Sequence, residues 1–151
     1  MTKETGLEFF AKKVSETLPY ILRTFAASEK NAFTKGTISL PQMLILEYLN
    51  KEKGCMMGDI ARMLSISMSG ATGLADRMLK TGLLKRSRSA RDRRVVNIYI
   101  TPKGERAAKN VLRQRINTIK KMFSMLTEKE RKKYLQILEK VKKQSLKMRQ
   151  G

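Results

Sequence analysis

Histidine is absent from this 151-residue sequence, and cysteine occurs once, as Cys55. A single thiol leaves no partner for a disulfide within the chain. Without histidine, a zinc site would have to be built from one thiolate and carboxylates, a poor ligand set for that metal. The expectation is no structural metal, no cofactor, and a reduced, cytoplasmic setting. No apolar run approaches the roughly 20 residues of a membrane span, and the opening Met1-Thr2-Lys3-Glu4-Thr5-Gly6-Leu7 lacks a basic segment followed by an apolar one. A membrane partner is therefore not expected. A nucleophile-plus-base pairing, a phosphate loop and a metal cluster are also missing, which argues against an enzyme.

Acidic residues are scarce. Thirteen Asp and Glu stand against 33 Lys and Arg, a net charge of +20, and the pI is about 10.4. Such a surplus is costly to assemble unless an anionic partner uses it, which points first to nucleic acid. Residues 1–79 carry ten basic and eight acidic side chains, residues 80–94 seven and one, and residues 95–151 sixteen and four. Charge is densest in the middle segment and most abundant in the last. With 41% hydrophobic residues the chain can form a core, and its length suits one domain or one domain plus a dimerisation arm.

What is present follows a helical period over much of the length. Leu7, Phe10, Val14, Leu18, Ile21 and Phe25 make an apolar stripe over residues 5–34, interrupted by Pro19, which should kink the helix or begin a second one. Lys35-Gly36 should end it. Ser39 is placed to cap a helix from about Leu40 to Lys53, with Pro41 in its first turn and Gly54 as its stop. Met57 to Leu64 predicts a short helix, Ser65-Ile66-Ser67 a tight turn, and Ser67 the cap of a second helix over about Met68 to Thr81, ended by Gly82. Leu84–Ser87 and Val95–Ile100 are β-rich. Thr101 should cap a helix that starts at Pro102 and runs to about Leu126, with apolar positions Ala108, Leu112, Ile116, Ile119 and Phe123. Thr127 and Glu130 form a capping box for a last helix carrying Tyr134, Ile137, Leu138, Val141 and Met148. Long striped helices at both ends of so small a central unit suggest a self-supplied dimer interface.

The stretch Leu83 to Thr101 concentrates the chemistry. Lys85, Arg86, Arg88, Arg91, Arg93 and Arg94 accompany one acid, Asp92, between two β-rich runs. This is the pattern of a hairpin with an arginine-loaded tip, directly after a helix-turn-helix pattern over Met57 to Gly82. The second helix of such a unit enters the major groove with its N-terminal residues near base edges, here Ser67, Met68, Ser69 and Thr72. Hydroxyls can meet phosphates or bases, and Met68 can touch a thymine methyl. Gly70, Ala71 and Gly73 should keep that surface thin. Arg77, further along, suits a phosphate contact or an ion pair with Asp76 or a neighbouring helix. Asp92 should hold a guanidinium of Arg91, Arg93 or Arg94 by paired hydrogen bonds, a pose suited to the narrow minor groove of A·T-rich DNA.

Ser39-Leu40-Pro41-Gln42, Asp59 through Leu64, Ser69 through Met78, Gly82-Leu83-Leu84, and Asp92-Arg93-Arg94 through Thr101-Pro102-Lys103-Gly104 together resemble the multiple-antibiotic-resistance regulator (MarR) family, over almost the whole chain. The resemblance implies a mostly α fold with a small β-hairpin wing: a winged helix-turn-helix whose terminal helices form a dimerisation arm. It implies a dimeric transcription regulator on a pseudo-palindromic duplex, with Asp92 positioning Arg94. Many relatives are repressors released by small, often phenolic, anions. Two departures stand out. Positions often basic in the family's recognition helix are Met68 and Gly73 here, and the reactive cysteine that oxidant-sensing relatives keep in the first helix is missing.

The expected division is 1–36 for N-terminal dimerisation, 37–101 for the DNA-binding unit and 102–151 for C-terminal dimerisation. The expected DNA contacts are Ser67, Met68, Ser69, Thr72, Arg77, Arg91, Asp92, Arg93 and Arg94. The expected partners are double-stranded DNA, a second copy of the chain and an anionic or phenolic inducer. An architectural or weakly specific nucleic-acid binder is the alternative.

Overall fold

The computed structural model describes residues 6–30 and 38–150. Two compact units, Met1–Arg115 and Ile116–Gly151, divide the chain. The fold is mostly α-helical with one small antiparallel sheet, as expected. The order is α1 (Gly6–Lys30), α2 (Leu40–Glu52), β1 (Cys55–Met56), α3 (Met57–Leu64), α4 (Met68–Lys80), β2 (Leu84–Arg88), β3 (Val96–Ile100), α5 (Pro102–Met122) and α6 (Glu128–Met148).

The core of the first unit lies where α2, α3, α4, the sheet and the start of α5 converge. Ile45, Leu46, Leu49, Ile60, Met78 and Ile98 are its largest fully buried side chains. Each element contributes one face. In α4 the buried residues Ala71, Ala75 and Met78 recur at helical spacing. Strand order is β1-β3-β2, with Leu84 opposite Ile100 and Arg86 opposite Ile98. Burial alternates accordingly, Ile98 facing inward between half-exposed neighbours.

Local chemistry sets the element ends. Ser39 accepts the Gln42 N–H while the Gln42 side chain accepts the Ser39 N–H, a reciprocal cap for α2. Lys53 and Gly54 both take positive φ to close that helix, and the ring of Tyr99 lies so near Gly54 that a Cβ there would sit 2.6 Å from it. Thr127 and Glu130 cap α6 in the same reciprocal way as the α2 pair.

Three expectations change. No strand is expected between the helix ended by Gly54 and the one begun at Met57, yet Cys55 and Met56 form β1, paired with Ile98 and Asn97 of β3. Two residues are too short to show a period, so the strand becomes visible only through its partner. Pro19 does not begin a second helix: α1 runs through it as one element. Proline removes one backbone donor, and on a solvent-exposed helix water can satisfy the carbonyl left over. α5 ends at Met122 rather than near Leu126; Phe123 turns back, and its ring packs on Tyr134 of α6 at 5.1 Å. The predicted Lys35-Gly36 stop lies outside the described residues.

Among the described residues, α1 and α6 have no buried side chain. Their apolar stripes are open: Leu7, Phe10, Val14 and Leu18 on one, Tyr134, Ile137, Leu138 and Val141 on the other, with Leu112, Ile116 and Ile119 of α5 also exposed. Among the described residues, no helix is long and apolar enough to cross a membrane.

Candidate nucleic-acid interface

Ser65 takes positive φ to end α3, and Ser67 then starts α4, its hydroxyl accepting the Gly70 N–H at 3.1 Å. This short reversal sets two helices against a shared core. The outward face of α4 comprises Ser69, Thr72, Gly73, Asp76, Arg77 and Lys80, opposite the buried Ala71, Ala75 and Met78. Ser67, Met68 and Ser69 are exposed at its N-terminus, where helix N–H groups favour an anion. The Thr72 hydroxyl donates to the Met68 carbonyl at 2.8 Å, leaving only its lone pairs for another partner. Gly73 faces open space and does thin the surface. Ala71 does not, being wholly buried.

β2 and β3 carry the wing. Ser89 N–H donates to the Val95 carbonyl, and Val95 N–H to the Asp92 carbonyl, closing the tip. Arg91, Asp92, Arg93 and Arg94 are all exposed there. The Asp92 carboxylate accepts the Arg94 backbone N–H at 2.9 Å. This corrects the expected guanidinium clamp: Asp92 shapes the turn through the main chain, the local bond that aspartate side chains favour in turns. Among the described residues, Arg91, Arg93 and Arg94 have no carboxylate partner, so their charges remain available to an outside anion.

Asp76 pairs with Arg86 of β2 at 2.5 Å, not with Arg77. The bridge ties the recognition helix to the wing strand, and it leaves the Arg77 guanidinium without a carboxylate among the described residues. Sequence separation hid it; register reveals it, because Arg86 stands opposite buried Ile98 and so emerges on the helix side of the sheet. Lys80, on the outward face of α4, was also missed, although its spacing from Ser69 and Gly73 is helical. A second latch holds the far end of α4. Thr101 donates to the Gly82 carbonyl at 2.6 Å and accepts the Gly104 N–H, while Lys103 donates to the Thr81 carbonyl.

Cys55 is buried, and desolvation, helped by the nearby Asp59 charge, pushes its thiol up to about 11. A thiol so poised holds little thiolate near neutrality and is a poor redox sensor. Met43 and Met78 fill the core, and Met57 and Met63 pack against it, whereas Met56 and Met68 are exposed. Most of the central methionines are therefore ordinary packing.

The family model described as "MarR family" matches residues 38–96, from the cap of α2 to the start of β3. The chain is 32% identical over 120 residues to the uncharacterised HTH-type transcriptional regulator YwhA of Bacillus subtilis, covering 72% of this chain and 86% of that one. It is 29% identical over 96 residues to the HTH-type transcriptional repressor MdtR of the same organism, covering 64% and 62%. The structure of a MarR family protein from Bacillus stearothermophilus superimposes with a TM-score of 0.77 at 25% identity, over 92% of this chain and 97% of that one. A more distant likeness of fold, TM-score 0.66 at 21% identity over 86% and 98%, is to Bordetella bronchiseptica BpsR, whose DNA binding is regulated by 6-hydroxynicotinic acid.

Proposed function

The chain belongs to the MarR family of transcriptional regulators, and from that premise we propose that it acts in the cytoplasm as a homodimeric repressor of a pseudo-palindromic operator, released by a small anion. Residues 37–101 are the DNA-binding unit, and 1–36 and 102–151 supply the dimer contacts. One observation carries the DNA contact: an N-capped helix with a hydroxyl-rich outer face is tied by Asp76–Arg86 to a wing whose three tip arginines have no carboxylate partner among the described residues. Ser67, Met68, Ser69 and Thr72 meet the major groove, with Arg77 on phosphate. Arg91, Arg93 and Arg94 meet the minor groove or its phosphates, in a turn shaped by Asp92. Short side chains on the helix give modest direct readout, so part of the specificity comes from groove shape under the wing.

Repression follows the precedent of MdtR, and control by a small aromatic anion follows BpsR, whose DNA binding is regulated by 6-hydroxynicotinic acid. Titrating the intact protein against duplexes from its own upstream region at fixed salt tests the reading. A specific regulator prefers one site by about a thousandfold or more. A preference of only a few-fold would instead make it an architectural binder. Adding 6-hydroxynicotinate or a hydroxyphenylacetate should weaken operator binding if the ligand reading holds.

A further inference from the structure

α6 carries a second concentration of charge that the winged unit does not use. Lys129, Lys133, Lys140, Lys143 and Lys147 recur so that, at about 3.6 residues per turn, they fall in a sector about 80° wide and about 27 Å long. Gln136 occupies the turn between them, and Lys132 borders the row. All are exposed. Among the described residues, only Lys132 of this group has a carboxylate partner, Glu128 at 2.7 Å. The other acid bridge of α6, Glu139 with Lys142, lies off the ridge. The apolar face formed by Tyr134, Ile137, Leu138, Val141 and Met148 is centred about 120° round the helix, so burying that face leaves the ridge uncovered.

Like charges three and four residues apart destabilise a helix by mutual repulsion; a polyanion laid along the ridge relieves it. We propose that this lysine ridge is a second, sequence-independent contact surface for the phosphates of duplex DNA, a proposal that rests on the DNA-binding reading above. Lysine ammonium groups are point charges without the planar fork that selects a particular carboxylate or base, which suits a continuous row of phosphates. The ridge holds no aromatic side chain on which unstacked bases could lie, which disfavours single strands. Membrane-surface helices combine lysines with an apolar face of Trp, Phe or Leu that is open to the lipid. In α6 the proposed dimer covers that face, so it is not left for a membrane.

The experiment uses the intact chain, a variant with all five ridge lysines changed to glutamine, and a matching arginine variant. Glutamine and arginine keep helix propensity close to that of lysine, which far-UV circular dichroism checks. Fluorescence anisotropy then follows binding to an operator duplex and to a random-sequence duplex over a range of salt. The glutamine variant should lose about 2–4 from the slope of log K against log salt on both duplexes, and about tenfold or more in affinity, while the arginine variant behaves as the parent. If the five-fold variant loses helix, the pair Lys140→Gln and Lys143→Gln should still lower the slope by about 1–2. Parental slope and affinity in a folded glutamine variant, with the parent binding operator normally, would overturn the ridge and leave the DNA-binding reading intact. A parent that binds neither duplex defeats both. Unchanged DNA binding with loss of binding to phosphatidylserine vesicles would assign the ridge to a membrane surface and also overturn the proposal.

Discussion

Asp92 subtracts charge from the wing, yet its carboxylate holds the Arg94 N–H at 2.9 Å. The two effects separate by substitution. Asparagine keeps an oxygen acceptor and removes the charge, so Asp92→Asn should bind operator as tightly as the parent or more tightly. Asp92→Ala loses the bond, worth about 1 kcal/mol, and should bind more weakly, by roughly fivefold, despite gaining net positive charge. Tighter binding by the alanine variant would leave only electrostatics and discard the positioning role. Gly104 gives a test of packing. A Cβ there would collide with the Leu83 carbonyl oxygen and lie 2.8 Å from Ile100 Cγ1. Gly104→Ala should cost about 1–3 kcal/mol in urea unfolding, the cost of overpacking. A neutral or stabilised variant would mean that helix propensity outweighs the contact.

Capping carboxylates set how the helices respond to acid. The Asp59 carboxyl is held below its ordinary range, chiefly by the Met56 N–H it accepts at 2.9 Å and then by Arg62. The Glu130 carboxyl is lowered by the Thr127 N–H and hydroxyl. A depressed folded-state value means that each contributes stability above the unfolded carboxyl range, about 3.9–4.3. That contribution is lost as pH falls through the lower folded value. The urea midpoint should therefore fall as pH drops below about 4, and less steeply in Asp59→Asn. An acid dependence unchanged in that variant would place the loss elsewhere. The Asp76–Arg86 bridge works at the same scale. Both side chains are about half exposed, so the pair adds little to stability; its use is to hold the wing strand against the recognition helix.

At the scale of the whole molecule, the open faces of α1, α5 and α6 are what the proposed dimer would cover. Phe10 is 60% exposed and Val141 59%, values at odds with residues spaced as core positions on their helices unless a second copy covers them. The intact protein should sediment as a dimer at micromolar concentration. Leu138→Glu combined with Val141→Glu should shift it toward monomer and reduce operator affinity, because one recognition helix then reads one half-site instead of two about 10 bp apart. A parent that stays monomeric while binding DNA one to one would remove the dimer from the account.

Period and punctuation were enough for the helices and for the two hairpin strands, but not for β1. Ser39, Ser67, Thr101 and Thr127 mark helix starts by their hydroxyls, and Gly54 and Gly82 mark stops by their freedom at positive φ. The charge count placed the arginine tip and the surplus of residues 95–151 without any coordinates. Those signals are local: a cap needs three residues, a stripe two turns. What joins distant residues was not legible. Pairing of Cys55-Met56 with β3, the Asp76–Arg86 bridge and the inward turn of Ala71 each depend on register or on which face of an element meets the core. The Asp92 bond is local, but the conformation of the turn decides whether its carboxylate takes a backbone amide or a guanidinium. The sequence by itself determined that a capped helix pair would be followed by a basic hairpin. Only the tertiary structure decided which arginines are free to meet phosphate, because that depends on which carboxylates folding brings within reach.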